Sequence, residues 1–273
     1  MSRPELLSSH NYRSDGRRPK ELRDMGLTLC SHSQADGSAT VSHGLTSVLV
    51  TVFGPREAKN RANSLFDRAM LNVNIDVPLF SGGGGAGKKR GRGDKRTLEF
   101  ASNIKSTFEP IIQTQLYPRS QIDISVQVLQ QDGGLLQASI NATTLALIDA
   151  GIALNDYVCA MTCALHDTVP LLDLTNIEES DLPNLTVAVL PRSGKITLVT
   201  LETCIHMDRF EQMFEMAGMA GKVIHEEMLT AVQSRTERLV TAMGKGAREI
   251  QHTTGAPSSA DRSRDPDIEM EDY

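Results

Sequence analysis

A segment near the middle of the chain, QVLQQDGGLLQASINATTLALIDAG (127–151), predicts a strand, a tight turn and a helix in direct succession. Gly133 and Gly134 form the turn, since glycine adopts backbone conformations that other residues avoid. The helix is predicted over 135–150 and ends at Gly151, a position that glycine often takes after the last helical turn. Because backbone N–H groups at a helix N-terminus attract anions, this turn indicates a phosphate site.

The three residues after the turn, Leu135, Leu136 and Gln137, bring no positive charge to it. Two interpretations of Gly133 and Gly134 are open: a backbone cradle for an anion, or a tight turn that packs against the sheet. The lack of a basic residue in this segment favours packing. We expect Leu135 and Leu136 to lie in the core or in a subunit interface.

The rest of the chain predicts strands and helices in uneven groups. Apolar positions from Arg96 to Leu116 follow a helical period that Pro110 interrupts, and a long amphipathic helix is predicted from Met207 to about Ala242. Strands are predicted in MGLTLCSH, SATVSHG, LTSVLVTVFGP, AMLNVNIDVPLF, SQIDISVQVLQ and YVCAMTCALHDTV, with hairpin turns at Asp36-Gly37 and within LTVAVLPRSGKITLVTLE. This order indicates an α+β fold rather than a regular βαβ repeat.

Composition narrows the class of protein. The 273 residues are 40% hydrophobic, which is enough for a substantial core. The four cysteines are too scattered for a disulfide framework, and no Cys/His spacing indicates a metal site, so we expect buried thiols at Cys159 and Cys163 and neither metal nor cofactor. No apolar run is long enough to cross a bilayer and no secretory segment is evident, so we expect a soluble intracellular protein.

Charge is distributed unevenly along the chain. The net charge is −6, and residues 251–273 hold six acids against two bases, which predicts a disordered acidic tail. Bases concentrate elsewhere: residues 13–23 contain five against two acids, and residues 88–96 contain six against one. The second cluster begins in a glycine-rich loop predicted at 81–93, which indicates either a solvated flexible loop or a polyanion contact.

Five blocks of sequence together resemble the RNase PH family of phosphorolytic 3′-to-5′ exoribonucleases. They occur in the family's order over roughly residues 12–235 and read RSDGRRPKELR, ADGSATVSHGLTSVLVTVFGPRE, DKRTLEF, LYPRSQIDISVQVLQQDGGLLQASINATTLALIDAGI and PLLDLTNIEES. Within the family, the similarity is greatest to eukaryotic RNA exosome ring subunits related to the archaeal catalytic subunit. The resemblance implies an RNase PH-type fold of mixed sheets packed with helices, as a single domain over 1–250.

The resemblance also implies how the turn would work in an active member. There the two glycines are followed by Thr-Arg-Thr, whose arginine and hydroxyls hold the attacking phosphate; here the residues are Leu135, Leu136 and Gln137. Repulsion between two unit charges about 4 Å apart is of order 4 kcal/mol at an effective dielectric near 20, and a helix N-terminus alone offers about half a charge. A missing cation therefore predicts that phosphate is not positioned for attack.

A second catalytic element also differs from the family's pattern. Where active members carry an aspartate just before the next strand, this sequence has Asn184, with Asp181 three residues upstream if the alignment slips. Asparagine cannot exchange a proton usefully at neutral pH. Lys95 and Arg96 retain the family's basic pair that contacts RNA and phosphate, so the elements that grip RNA persist without those that cut it.

Further basic residues are candidates for RNA backbone contacts of the kind that ignore sequence and weaken with salt. Arg56 and Arg61 lie near the channel in the family, with ordinary surface arginine as an equal alternative. Arg119 either holds the RNA backbone or pairs with a carboxylate such as Asp123. The loop residues Lys88, Lys89, Arg90 and Arg92 complete the set. With Tyr117 the one tyrosine nearby and no tryptophan in the chain, no aromatic stacking platform is expected.

The function expected from this resemblance is that of a catalytically inert exosome ring subunit. Its partners would be RNase PH-like subunits, paired as a heterodimer within a six-membered ring, together with cap subunits, a hydrolytic nuclease and single-stranded RNA. The expected location is the nucleus, including the nucleolus, and the cytoplasm. Two alternatives stay open: an active phosphorolytic 3′-to-5′ exoribonuclease, and a free-standing RNA-binding module that would be monomeric.

Overall fold

The computed structural model describes residues 6–8, 10–57, 65–78, 80–81, 95–166 and 169–253, with side chains up to residue 243. Of the loop predicted at 81–93, only Ser81 lies within these ranges, and of the predicted tail only the backbone of 251–253 does. The chain divides into a unit at Met1–Val232 and a second unit from Gln233 onward. The single-domain boundary at 250 stays a prediction.

The first sheet has five strands in the order β1-β2-β3-β5-β4. The strands are β1 (Met25–Leu29), β2 (Gly37–His43), β3 (Thr46–Glu57), β4 (Met70–Asp76) and β5 (Ser120–Gln130). Neighbours run antiparallel, except that β4 and β5 are parallel. Val48, Val50 and Val52 alternate inward along β3 and are fully buried, which explains the strand's period of two.

The second sheet has four antiparallel strands in the order β7-β6-β8-β9. These are β6 (Cys159–His166), β7 (Val169–Leu172), β8 (Asn184–Val189) and β9 (Ile196–Leu201). The strand predicted in YVCAMTCALHDTV is confirmed as β6, whereas β7, which pairs with it antiparallel, was not predicted. The hairpin predicted in LTVAVLPRSGKITLVTLE is confirmed as β8–β9.

Helix α2 (Leu135–Asp149) contacts both sheets and supplies the centre of the core. Its residues from Leu135 to Leu147 are buried all around the helix, as expected for a helix covered on every side. Gly37 lets α2 approach the first sheet closely, because a Cβ there would collide with the backbone of Ala146 and Ala150. The hairpin predicted between the first two strands is confirmed by the antiparallel pairing of β1 and β2, but Gly37 is the first residue of β2 rather than part of the turn.

The remaining helices cover the sheets. Helix α1 (Lys95–Phe108) contacts β4 and ends two residues before Pro110, consistent with proline's inability to continue a helix. A six-residue helix, α3 (Asn176–Asp181), was not predicted. Helix α4 (Met207–Thr253) is longer than the predicted end near Ala242, and it buries the stripe Met213, Met216, Ala217, Ala220, Ile224 and Met228.

The predicted α+β class, with mixed sheets packed against helices, is confirmed. Cys159 and Cys163 lie on β6 and are fully buried, as expected. The Cys159 sulfur is 3.9 Å from that of Met228, and burial raises the pKa of both thiols to about 12. Thiols in this state are neutral and unreactive at physiological pH.

Candidate phosphate turn and nucleic-acid interface

The turn between β5 and α2 has the conformation that its two glycines predict. Gly133 and Gly134 have φ angles of 78° and 65°, in the left-handed region that favours glycine. A Cβ on Gly133 would lie 2.5 Å from the carbonyl oxygen of Leu174, so the turn packs tightly against the segment before α3. Leu135 and Leu136 are only 5% and 7% exposed and lie in the core.

An acidic side chain caps this turn. Gly134 N–H donates a hydrogen bond of 2.8 Å to Oε2 of Glu179, which lies on α3. Burial raises the pKa of the Glu179 carboxyl, while the hydrogen bond from Gly134 opposes that rise. Asn184 lies behind α3, where its side-chain amide donates to the carbonyl oxygen of Glu179 at 3.2 Å. Asn184 thus supports α3.

A cation that the sequence analysis missed lies at the turn. Arg23, which comes just before β1, is 8% exposed, and its guanidinium donates to the carbonyl oxygens of Asp132 at 2.7 Å and Gly133 at 3.4 Å. It also donates to the Asp173 carboxylate at 2.7 Å. The only signal was the basic cluster at 13–23, which does not indicate which base turns inward.

Asp173 organises the polar groups behind the turn. Its carboxylate accepts from the backbone N–H of Arg23 at 2.9 Å and from the side-chain amide of Gln137 at 2.7 Å. Burial alone would raise the pKa of Asp173, but its hydrogen bonds and ion pair with Arg23 lower it to about 2. Nearby, burial lowers the pKa of His43 to about 4, so this imidazole is neutral at pH 7.

A second buried ion pair holds α3 in place. Arg13 and Glu178 have fully buried side chains, and both Nε and Nη2 of the arginine donate to the carboxylate. Arg13 also donates to the carbonyl oxygens of Leu172 at 2.5 Å and Asp173 at 2.9 Å. Glu178 in turn completes a capping box with Thr175. The N-terminal segment thus fixes the position of the α3 acids.

The opposite end of the first sheet carries exposed arginines. The end of β3 lies beside the start of β5, as does the start of β4, so Arg56, Arg68 and Arg119 all lie at this end. The Arg119 guanidinium lies over the ring of Phe66, 4.5 Å from its centroid, and Phe66 is 71% exposed. Phe66 is an exposed aromatic ring that the sequence analysis did not consider.

The other contacts at this end bear on the alternatives for Arg56 and Arg119. Arg56 donates to Asp36 at 3.1 Å, an exposed pair of the ordinary surface kind. Asp123 accepts from the side-chain amides of Asn72 and Gln121 and has no ion pair with Arg119 among the described residues. The structural alternative that paired Arg119 with Asp123 is therefore wrong.

The remaining predicted RNA contacts fall into two groups. Lys95 and Arg96 are exposed at the first turn of α1. Because Ala69 N–H donates to the carbonyl oxygen of Thr114 after α1, the helix ends beside the start of β4. Its first turn lies about 20 Å from that end, on the side of the sheet that carries the phosphate turn. Lys88, Lys89, Arg90, Arg92 and Arg61 lie outside the described residues.

Two further features were sought in the described part of the chain. No group of three or more His, Cys, Asp or Glu side chains there could hold a metal ion. No helix there is long and apolar enough to cross a membrane.

Comparison with protein families gives two adjacent matches. Residues 21–153 match domain 1 of the 3′ exoribonuclease family (RNase PH), and residues 156–219 match domain 2. The first match covers the first sheet, the turn and α2. The second covers β6 to β9, α3 and the start of α4.

Individual proteins show the same similarity. The chain is 42% identical over 246 residues to the human protein named exosome complex component RRP41, covering 89% of this chain and 100% of that protein. It is 36% identical over 241 residues to exosome complex component SKI6 of Saccharomyces cerevisiae, covering 86% and 97%. The crystal structure of rice Rrp46 superposes with a TM-score of 0.72 at 26% identity, covering 81% of this chain and 100% of that one.

Proposed function

We propose, since the chain belongs to the 3′ exoribonuclease family of RNase PH-type proteins, that it is a non-catalytic ring subunit of the eukaryotic RNA exosome. Relatives that carry the exosome component name match over nearly their whole length, which supports a role in the same assembly. In this role the chain pairs with a related RNase PH-like subunit in a six-membered ring. It guides single-stranded RNA to a separate hydrolytic 3′-to-5′ nuclease for RNA processing and decay.

The observation that carries the non-catalytic proposal is the state of the turn at the start of α2. The one described cation there, Arg23, is held by Asp173, and the N–H of Gly134 is held by Glu179. An entering phosphate dianion would meet carboxylates instead of a free arginine. Each unit of repulsion at about 4 Å costs of order 4 kcal/mol at an effective dielectric near 20, so phosphate is not held for attack on RNA.

RNA guidance is proposed to use both ends of the first sheet. Lys95 and Arg96 provide exposed charge on the side of the phosphate turn. At the other end, Arg119 offers charge for the RNA backbone, while Phe66 offers an exposed ring on which any base can stack. Both kinds of contact tolerate all sequences, as a general processing machine requires.

Catalysis is tested on a complex reconstituted with the related RNase PH-like partner. The complex is incubated with single-stranded RNA and inorganic phosphate, and nucleoside diphosphates are measured by chromatography. We expect none above the level obtained without the complex. Release that disappears in the Arg96→Ala or Asp181→Ala variant would contradict the proposal.

The second candidate function is an active phosphorolytic exoribonuclease. It is favoured by one observation, that a cation, Arg23, does reach the turn. Activity would require Asp173 to release this arginine, or a partner chain to complete the site. The same incubation separates the candidates, because only an active enzyme forms nucleoside diphosphates in proportion to phosphate.

Membership of the assembly is tested by co-purifying the endogenous protein and identifying its partners by mass spectrometry. We expect RNase PH-like subunits, cap subunits and a hydrolytic nuclease, from both nuclear (including nucleolar) and cytoplasmic fractions. Native mass measurement adds a check, since a stable monomer would support a free-standing RNA-binding module instead.

A further inference from the structure

We infer that Glu179 is a built-in anion of the phosphate turn: its carboxylate takes the place that a phosphate would take at the start of α2 and thereby keeps phosphate out. This deepens the proposed function, on which it rests for the identity of the turn as a former phosphate site. It adds that a carboxylate of this chain closes the turn. This is in addition to the absence of the arginine that the family resemblance implies for active members.

A carboxylate of this chain already occupies the N–H donor at the turn. The N–H that Gly134 presents at the left-handed turn is the kind of donor that an anion would use, and Glu179 Oε2 is bound to it at 2.8 Å. A carboxylate resembles a phosphate edge in presenting two oxygens and a negative charge. The donor is therefore satisfied without any outside ligand.

The space next to Gly134 is already occupied. A Cβ on Gly134 would lie 2.7 Å from Nε2 of Gln137 and 3.2 Å from Nη2 of Arg23. Polar side-chain ends therefore already fill the volume next to the turn. With the Glu179 carboxylate on the N–H group, a tetrahedral anion could enter only by displacing one of these groups.

Carboxylates lie close to the one described cation at the turn, Arg23. Asp173 binds Arg23 at 2.7 Å, and the carboxylate of Asp132 is 4.0 Å from the same guanidinium. With Glu179 on the turn, three carboxylates lie close to the guanidinium of Arg23, so its charge is already balanced by acids of this chain. Removing Glu179 would restore both an unsatisfied N–H and a more favourable field.

Buried contacts hold helix α3 beside the turn. The neighbouring Glu178 is fixed by its buried pair with Arg13 and by the capping box with Thr175. Because α3 is held at this point, the backbone of Glu179 is fixed beside the turn, and its carboxylate stays within reach of the Gly134 N–H.

The test compares four forms of the full chain: wild type, Glu179→Ala, Glu179→Gln and Glu202→Ala. Glu202 is an exposed acid close enough to raise the pKa of Glu179, so Glu202→Ala removes a nearby negative charge without vacating the Gly134 N–H. For each form, the melting temperature is measured in phosphate and in chloride of equal ionic strength. Comparing the differences between forms cancels the general stabilisation that phosphate gives to proteins.

We expect no phosphate-specific difference between wild type and Glu202→Ala. Glu179→Ala should gain a rise of about 3 °C when phosphate is present at about ten times its Kd, and titration calorimetry should detect phosphate binding only in this variant and, more weakly, in Glu179→Gln. A purely structural role would lower the melting temperature equally in both salts. If Glu179→Ala does not fold, Glu179→Gln, which keeps an acceptor for Gly134, carries the test.

The inference is overturned if wild type binds phosphate at the turn, if the folded Glu179 variants gain no phosphate response, or if Glu202→Ala gains as much as Glu179→Ala. None of these measurements involves RNA or partner subunits. If they contradict the role of Glu179, the proposed exosome membership still stands. If the co-purification finds no exosome partners, the expected phosphate response of the Glu179 variants still stands.

Discussion

Two arginines at opposite ends of β5 show how differently this chain treats its positive charges. Arg23 lies at the turn that follows the strand, 8% exposed and bound to Asp173 and two carbonyl oxygens. Arg119 lies just before the strand, exposed and resting on the ring of Phe66. The 11 residues of β5 separate the two by about 35 Å.

The difference teaches that an arginine's neighbours decide what it can bind. Where acids and carbonyls surround it, as at the turn, the guanidinium is part of the fold and unavailable to a ligand. Where its closest contact is an aromatic face, it keeps its donors for an outside anion.

Replacing Arg23 by alanine should lower the free energy of unfolding by about 3–5 kcal/mol, because the buried Asp173 carboxylate would lose its partner. Arg119→Ala is the matched control and should change it by less than about 0.5 kcal/mol. Urea denaturation followed by circular dichroism measures both. Equal effects of the two substitutions would show that the two ends do not differ in this way.

Acid should destabilise the protein through the buried titratable groups behind the turn, His43 and Asp173. The pKa of His43 is about 4 in the folded protein against an ordinary 6.5, so between these values the unfolded chain binds a proton that the folded one refuses. The free energy of unfolding should therefore fall as pH drops from 6.5 to 4, by at most about 1.4 kcal/mol per pH unit.

A further fall is expected between pH 3.8 and 2, as Asp173 takes up its proton more readily in the unfolded chain than in the folded one. Urea midpoints measured across this range give the profile. His43→Gln should flatten the slope between pH 6.5 and 4 whatever its effect on stability at pH 7. An unchanged slope in that variant would assign the acid sensitivity elsewhere.

At the end of the first sheet that carries Arg119, Phe66→Ala should weaken binding of a short single-stranded RNA to the assembled complex by about tenfold, since stacking of one base contributes about 1–3 kcal/mol. Fluorescence anisotropy measures the affinity. Phe66→Tyr keeps the ring and should bind as wild type does. Loss of affinity in the tyrosine variant would argue against stacking.

The smallest expected effect concerns the salt dependence of RNA binding. Replacing Lys95 and Arg96 together by alanine should weaken RNA binding at low salt and less so at high salt, reducing the slope of log affinity against log salt by about 1.4. Lys105→Ala, at the far end of the same helix, should leave the slope unchanged. An unaltered slope in the double variant would mean that neither residue contacts phosphate.

Local patterns predicted most of the fold. The alternation in SQIDISVQVLQ gave β5 and the apolar run after Gly134 gave α2, because each pattern reflects the burial of one element. Helix α3 and strand β7 were missed because six and four residues carry too short a period.

The site was predicted only in part. Gly133 and Gly134 were found from their backbone requirements, whereas Arg23, Asp173 and Glu179 were missed. The ion pair of Arg23 joins residues 150 apart in sequence, and the contact of Glu179 with Gly134 spans 45. No local pattern encodes such pairings, and a single sequence offers no means of matching one acid to one base across that distance.

The central claim is that internal carboxylates close the phosphate turn, and a crystal structure of the reconstituted complex grown in phosphate tests it directly. We expect Glu179 on the N–H of Gly134, Asp173 on Arg23, and no phosphate at the start of α2. Density for a phosphate bound to Gly134 N–H and gripped by Arg23, with Glu179 displaced, would contradict the account.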